Sequence, residues 1–98
     1  ITSGELKLDL AAKQVTLGND IMEVTAFEYL ILEYLMRHCH EVVAKQRLLD
    51  VIYGDKEGDP NTIEVMVSRL RKKLTRDGID NPIATIRGQG YKFNLPCN

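Results

Sequence analysis

Five cations fall within nine residues in Ser68-Arg69-Leu70-Arg71-Lys72-Lys73-Leu74-Thr75-Arg76, while Leu70 and Leu74 keep an apolar four-residue spacing. At about 100° per residue, Asn61, Val65, Ser68, Arg69 and Lys72 share the helical stripe opposite Ile63, Val67, Leu70 and Leu74. Thr62, Arg71, Lys73 and Arg76 fall on its flanks. A helix with cations on its free side suits the B-DNA major groove, about 12 Å wide, and its flanking charges suit the phosphate rails. The dipole of the helix C-terminus accounts for cations in the last turn, not for Arg69 and Arg71 further in. A second feature is Arg87-Gly88-Gln89-Gly90. Two glycines around one polar residue allow a sharp hairpin tip and leave little bulk near Arg87, whose guanidinium then fits a narrow minor groove. Read instead as a phosphate-cradling glycine loop, this stretch lacks a third glycine and a strand-to-helix setting.

Other chemistry is poorly supported. His38-Cys39-His40 are successive residues at a helix end, pointing about 100° apart, and do not converge on one metal ion. Cys39 and Cys97 match no metal spacing and are expected to be reduced thiols. Glu28, Glu33 and Asp50 form no carboxylate pair by spacing and are expected on helix surfaces, and no Ser-His-Asp set or activated Cys emerges. An enzyme is therefore not expected, nor any cofactor or metal.

The elements that must position these residues follow from periodicity. Leu6, Leu8 and Leu10 alternate with Glu5, Lys7 and Asp9, and Val15, Leu17, Ile21 and Met22 follow, which predicts three short antiparallel strands. Residues 17 to 21 are expected to make a tight connection in which Gly18 and Asn19 supply positive φ. Thr25-Ala26-Phe27-Glu28 is a capping box, and Phe27, Leu30, Ile31, Tyr34 and Leu35 predict an amphipathic helix over 26 to 38. A second helix near 45 to 53 carries Leu48, Leu49 and Ile52. Its cap position is Ala44, whose lack of an acceptor costs about 1 kcal/mol. The polar stretch from Tyr53 to Pro60 reads as a loop. Pro60-Asn61-Thr62 opens a third helix running to about Arg76 and stopping at Asp77-Gly78. Ile83 to Leu95 reads as a β-hairpin. The predicted fold is α+β: a winged helix-turn-helix with an N-terminal antiparallel sheet, three helices and a C-terminal hairpin wing, one domain over 1 to 98.

At 98 residues, with 44% hydrophobic and 28% charged, the chain holds one modest core and little room for an enclosed active site. No apolar run nears the roughly 20 residues of a membrane span, and no basic-then-apolar leader is present. A soluble cytoplasmic module is expected, and the start at Ile1 suggests a piece of a longer protein. Net charge is −1, but residues 1 to 60 hold six Lys or Arg against eleven Asp or Glu, and residues 61 to 98 hold seven against three. That split of −5 and +4 gives a dipolar molecule with one end suited to nucleic acid. The acidic half leaves a second reading open, a winged helix that binds a protein partner instead.

Three segments carry a family resemblance over essentially the whole chain. Thr25-Ala26-Phe27-Glu28-Tyr29, Arg69-Leu70-Arg71-Lys72-Lys73-Leu74 and Ile86-Arg87-Gly88-Gln89-Gly90-Tyr91-Lys92-Phe93 resemble, in order and spacing, the effector domain of OmpR/PhoB-type response regulators, the bacterial two-component transcription factors. The resemblance implies a four-stranded N-terminal sheet, a recognition helix from Asn61 to about Arg76, and a wing at 87 to 91 that enters the minor groove. Residue by residue it places Arg69 and Arg71 at the DNA, Arg87 as the wing arginine and Thr85 as a phosphate-contacting hydroxyl; with the helix's outward stripe and flanks and the hairpin tip, the expected DNA-binding set is Asn61, Thr62, Val65, Ser68, Arg69, Arg71, Lys72, Lys73, Thr85, Arg87, Gly88 and Gly90. Tyr91 and Phe93 would seat the hairpin on the helices. Gly54, Asp55, Lys56, Glu57 and Gly58 lie where such proteins touch the sigma or alpha subunit of RNA polymerase. It further implies a separate receiver domain phosphorylated through a cognate sensor kinase, a monomeric isolated domain, and head-to-tail pairing on direct DNA repeats. Asn61, Ser68 and Met66 depart from the Arg, Lys or His frequent in relatives, so no relative's DNA sequence preference is inherited. His40 stands where many relatives have Gly and is expected to hold positive φ.

Overall fold

The alternating N-terminal residues close into a four-stranded antiparallel sheet in the computed structural model, which describes residues 1–54, 58–75 and 81–95. Strands β1 (Thr2–Ser3), β2 (Leu6–Asp9), β3 (Gln14–Leu17) and β4 (Asp20–Met22) pair in chain order. The register Leu6↔Leu17 and Leu8↔Val15 sets four apolar side chains on one face, and all four are buried. Pattern alone predicts three strands; β1 is two residues long, too short to display a period of two. In the turn before β4, Gly18 holds φ +63° as expected, but Asn19 does not hold a positive φ. Lys13 does, at +56°, after Asp9 Oδ1 accepts from the backbone N–H groups of Ala11 and Ala12.

Helix α1 (Ala26–Arg37) starts on the expected box: Thr25 Oγ1 accepts from the Glu28 N–H at 3.1 Å, and Glu28 Oε1 accepts from the Thr25 N–H at 2.9 Å. Its buried side is turned relative to the expected stripe. Ile31 and Leu35 are inside as predicted, joined by Glu28, Tyr29, Leu32 and Met36, while Leu30 and Tyr34 are half-buried and Phe27 is 39% exposed. The cause is topological, since α1 packs against α2, α3 and β6 together and is covered on more than one face. Phe27 meets the Tyr53 ring, edge to face at 5.7 Å.

Helix α2 (Lys45–Tyr53) begins at Ala44 without a side-chain cap and closes on Gly54 at φ +64°. Helix α3 (Pro60–Leu74) is capped by Asp59, whose carboxylate accepts from the Asn61 N–H, with Pro60 in the first turn. It ends one to two residues before the expected Arg76. There the Arg71 carbonyl accepts from Thr75 Oγ1 at 2.6 Å and from Asn81 Nδ2 at 2.9 Å. The expected stop at Asp77-Gly78 lies outside the described residues.

The hairpin consists of β5 (Ile83–Ile86) and β6 (Gly90–Phe93), with Ile86 opposite Gly90. Val43 exchanges backbone hydrogen bonds with Tyr91 at 2.7 and 2.9 Å, so the link between α1 and α2 lies along β6. His40 holds φ +68°, as expected, which aims its N–H at the Phe93 carbonyl. Tyr91 and Phe93 are buried among the helices. One apolar cluster runs from Leu6 in the sheet through Leu35 and Leu70 to Phe93.

Candidate nucleic-acid interface

Helix α3 lies on the core through Ile63, Val67, Leu70 and Leu74, each at most 1% exposed. That burial fixes its rotation, and Asn61, Val65, Ser68, Arg69 and Lys72 consequently all stand exposed on the far side. Among the described residues, neither Arg69 nor Lys72 has a hydrogen-bond or ion-pair partner, and both side chains stand open to solvent. Val65, 48% exposed, is the apolar member of this stripe.

The flanks are organised differently. Arg71 is half-buried and donates from Nε to the Ile83 carbonyl at 3.0 Å and from a terminal nitrogen to Thr85 Oγ1. Its guanidinium carbon lies 5.8 Å from the Tyr91 ring centre. Arg71 therefore ties α3 to the hairpin, and Thr85 is the other end of that tie. Lys73 Nζ lies 2.6 Å from Glu28 Oε1. Glu28 is 1% exposed, contrary to the expectation of a surface carboxylate, and its Oε2 is buried with no hydrogen-bond partner. Burial pushes the Glu28 carboxyl up. The Lys73 hydrogen bond, the Thr25 N–H and the charges of Lys73 and Arg69 outweigh it, leaving the group below its ordinary value.

At the hairpin tip Arg87, Gly88 and Gln89 are exposed, and Gly88 holds φ +76° with open space around it. Gly90, also expected beside the DNA, is buried at the base of the tip. A Cβ there would stand 2.1 Å from the Val43 carbonyl oxygen, so the position serves close backbone packing. Periodicity gave no hint of Lys45. Its ammonium pairs with Glu64 of α3, which holds its pKa above the ordinary value, and Lys45 lines an open hollow of about 300 Å³ with Thr85, Ile86, Gly88, Gln89 and Gly90. The hollow joins the start of α2 to the hairpin tip.

Of the acidic loop, Gly54 is exposed and Gly58 is half-buried under the Tyr53 ring; Asp55, Lys56 and Glu57, like Arg76, lie outside the described residues. Cys39 is disulfide-bonded, which corrects the expectation of reduced thiols; Cys97 lies outside the described residues. No group of three His, Cys, Asp or Glu side chains among the described residues is placed to hold a metal ion. No helix among them is long and apolar enough to cross a membrane.

A cationic helix face laid open over three packed helices, with a β-hairpin tied to its flank, defines a winged helix-turn-helix. Residues 18–93 match the family described as "Transcriptional regulatory protein, C terminal", and the chain belongs to that family, the effector domains of OmpR/PhoB-type response regulators. The family is one of transcriptional regulators, not enzymes. The two-component response regulator PhoP of Pseudomonas aeruginosa is 52% identical over 98 residues, covering 99% of this chain and 44% of that protein. Transcriptional regulatory protein PhoP of Escherichia coli K12 is 39% identical over 90 residues, covering 91% of this chain and 40% of that protein. The chain thus spans less than half the length of these relatives. Among solved structures, the Klebsiella pneumoniae RstA DNA-binding domain in complex with the RstA box superposes with a TM-score of 0.83 at 30% identity, covering 96% of this chain and 95% of that one. The C-terminal DNA-binding domain of the Klebsiella pneumoniae RstA protein, solved separately, superposes with a TM-score of 0.87 at 29% identity, covering 100% of this chain and 93% of that one.

Proposed function

We propose that this domain binds duplex DNA sequence-specifically as the effector half of a two-component response regulator, with α3 in the major groove and the Arg87 tip in the minor groove. The observation that carries the reading is the open stripe of α3, where Arg69 and Lys72, without a hydrogen-bond or ion-pair partner among the described residues, stand exposed beside Asn61, Val65 and Ser68. Asn61, Thr62, Val65, Ser68 and Arg69 are assigned to base edges and Lys72 to phosphate. Arg71 and Thr85, already joined, present one polar group to the backbone between the two grooves. Arg87 and Gly88 meet the minor groove, whose narrow stretches concentrate negative potential. The solved RstA complex with its DNA box supports duplex DNA as the ligand class.

The full-length protein carries a receiver domain acted on by a cognate sensor kinase, works in the cytoplasm, and contacts the sigma or alpha subunit of RNA polymerase through the loop from Gly54 to Gly58. The isolated domain is a monomer that pairs head to tail on direct repeats, where DNA supplies the local concentration that free solution does not. Selection of bound duplexes from a random pool gives the operator and the repeat spacing. Arg69→Ala and Arg87→Ala are then expected to lower operator affinity by about 1 to 3 kcal/mol each in a gel-shift titration, with the melting temperature nearly unchanged because both side chains are exposed and neither has a hydrogen-bond or ion-pair partner among the described residues. Undiminished binding by both variants would overturn the assignment, and binding to a polymerase subunit with no duplex shifted would favour the acidic half as the working surface.

A further inference from the structure

Its position on the flank of the helix puts Lys73 among the expected DNA contacts, whereas its ammonium is bound to a carboxylate that the core has already taken out of water. Glu28 is fixed on three sides. It sits in the first turn of α1, it closes the capping box by accepting from the Thr25 N–H, and it is 1% exposed, with Oε2 lacking a hydrogen-bond partner among the described residues. An uncompensated buried carboxylate is strongly unfavourable, so Glu28 needs the cation more than a solvated phosphate does. Lys73 itself is only 33% exposed along its side chain and meets Glu28 Oε1 at 2.6 Å. One turn earlier on the same helix, Arg69 is exposed and without a hydrogen-bond or ion-pair partner among the described residues.

Resting on the DNA-binding reading above, we infer that Glu28 is a positioning and specificity-setting residue that withholds Lys73 from the nucleic acid, so that the recognition helix meets DNA with fewer mobile cations than its sequence contains. A lysine is a point charge on a flexible stem and binds any phosphate regardless of sequence. Neutralising it internally removes one sequence-independent attraction and leaves the reading to Arg69 and its neighbours. Glu28 also links the first turn of α1 to the far end of α3, which orients the helix under that reading face.

The slope of log affinity against log salt counts the phosphates neutralised, about 0.9 per contact. A salt series on a mixed-sequence duplex and on the selected operator is therefore run with the 98-residue chain and with Lys73→Gln, Glu28→Gln and the double variant. Lys73→Gln is expected to keep the wild-type slope. Glu28→Gln retains an amide oxygen for the Thr25 N–H but frees the lysine, and it is expected to steepen the slope by about 0.9 and to narrow the affinity ratio between operator and mixed sequence. The double variant is expected to return to the wild-type slope. A slope that falls by about 0.9 in Lys73→Gln would overturn the inference by making Lys73 a phosphate contact, and that result does not need Glu28→Gln to fold. Wild-type protein that binds neither duplex at low salt would overturn the DNA-binding reading as well, which separates the two failures.

Discussion

Gly90 carries more of the fold than its size suggests. Its φ of +144° is closed to ordinary L side chains, and a Cβ would run into the Val43 carbonyl oxygen at 2.1 Å and Ala44 Cα at 2.9 Å. Both obstacles are backbone, so no side chain can swing aside. Gly90→Ala is expected to destabilise the domain by about 2 to 3 kcal/mol or more in urea denaturation, whereas Gly88→Ala, at a positive φ but in open space, is expected to cost closer to 1 kcal/mol. Residue type and spacing marked both glycines as turn formers. Only the approach of a segment some fifty positions away divides them into a tip and a packing site, and one sequence contains no information on that approach in its local pattern. Arg71 and Lys73 follow the same logic. Periodicity placed both on the flanks of α3, where they are, but whether a flank cation meets solvent or a buried partner depends on Ile83, Thr85 and Glu28, which the chain brings in from afar.

Among the elements, α2 is the one with an unfilled end. Ala44 has the extended backbone of a cap and no acceptor, while the helices on either side have Thr25 and Asp59. Ala44→Ser is expected to raise stability by roughly 0.5 to 1 kcal/mol, a rise of a few degrees in melting temperature by calorimetry, because the exposed side chain can accept from the free N–H groups of the first turn. The starts of α1 and α3 were legible because caps are local chemistry, marked by Thr25 and Pro60; that of α2 rested on the spacing of Leu48, Leu49 and Ile52. The buried face of α1 was less so. A helix at the centre of a small domain is enclosed by several neighbours, so Tyr29, Leu32 and Met36 go inside along with the expected Ile31 and Leu35, and Glu28 goes with them. A single-stripe reading of Phe27 and Tyr34 fails for the same reason. The strand β1 was visible only through family resemblance.

For the whole molecule, stability is bounded at both ends of the pH scale by groups on α1. The Glu28 carboxyl is depressed in the fold, so its contribution is present above its ordinary value of 4.5 and is lost as pH falls through the depressed value. Tyr29 is the converse. Burial first, and then the Glu33 carboxylate that accepts from its hydroxyl at 3.2 Å, push it from 10.0 up to about 12. Its contribution is complete below pH 10 and disappears as pH rises through 12, a change on the order of 2 to 3 kcal/mol. Urea midpoints measured across pH are expected to be flat through neutrality and to fall at both extremes, and Tyr29→Phe is expected to reduce the alkaline fall, to which the raised Tyr91 and Lys45 also contribute. The separation of charge along the chain, −5 before residue 61 and +4 after it, survives folding as an open cationic stripe on α3.

The yoke through Arg71 makes α3 and the hairpin tip a single jaw of fixed gauge, because one guanidinium is bonded to the helix on one side and to Ile83 and Thr85 on the other. A reader built this way compares the distance between two grooves as well as the bases within them. Under the DNA-binding proposal, B-form duplexes match that calliper. An A-form RNA or hybrid helix, whose deep narrow groove sits at a different offset from its shallow one, is turned away by shape before any base is read.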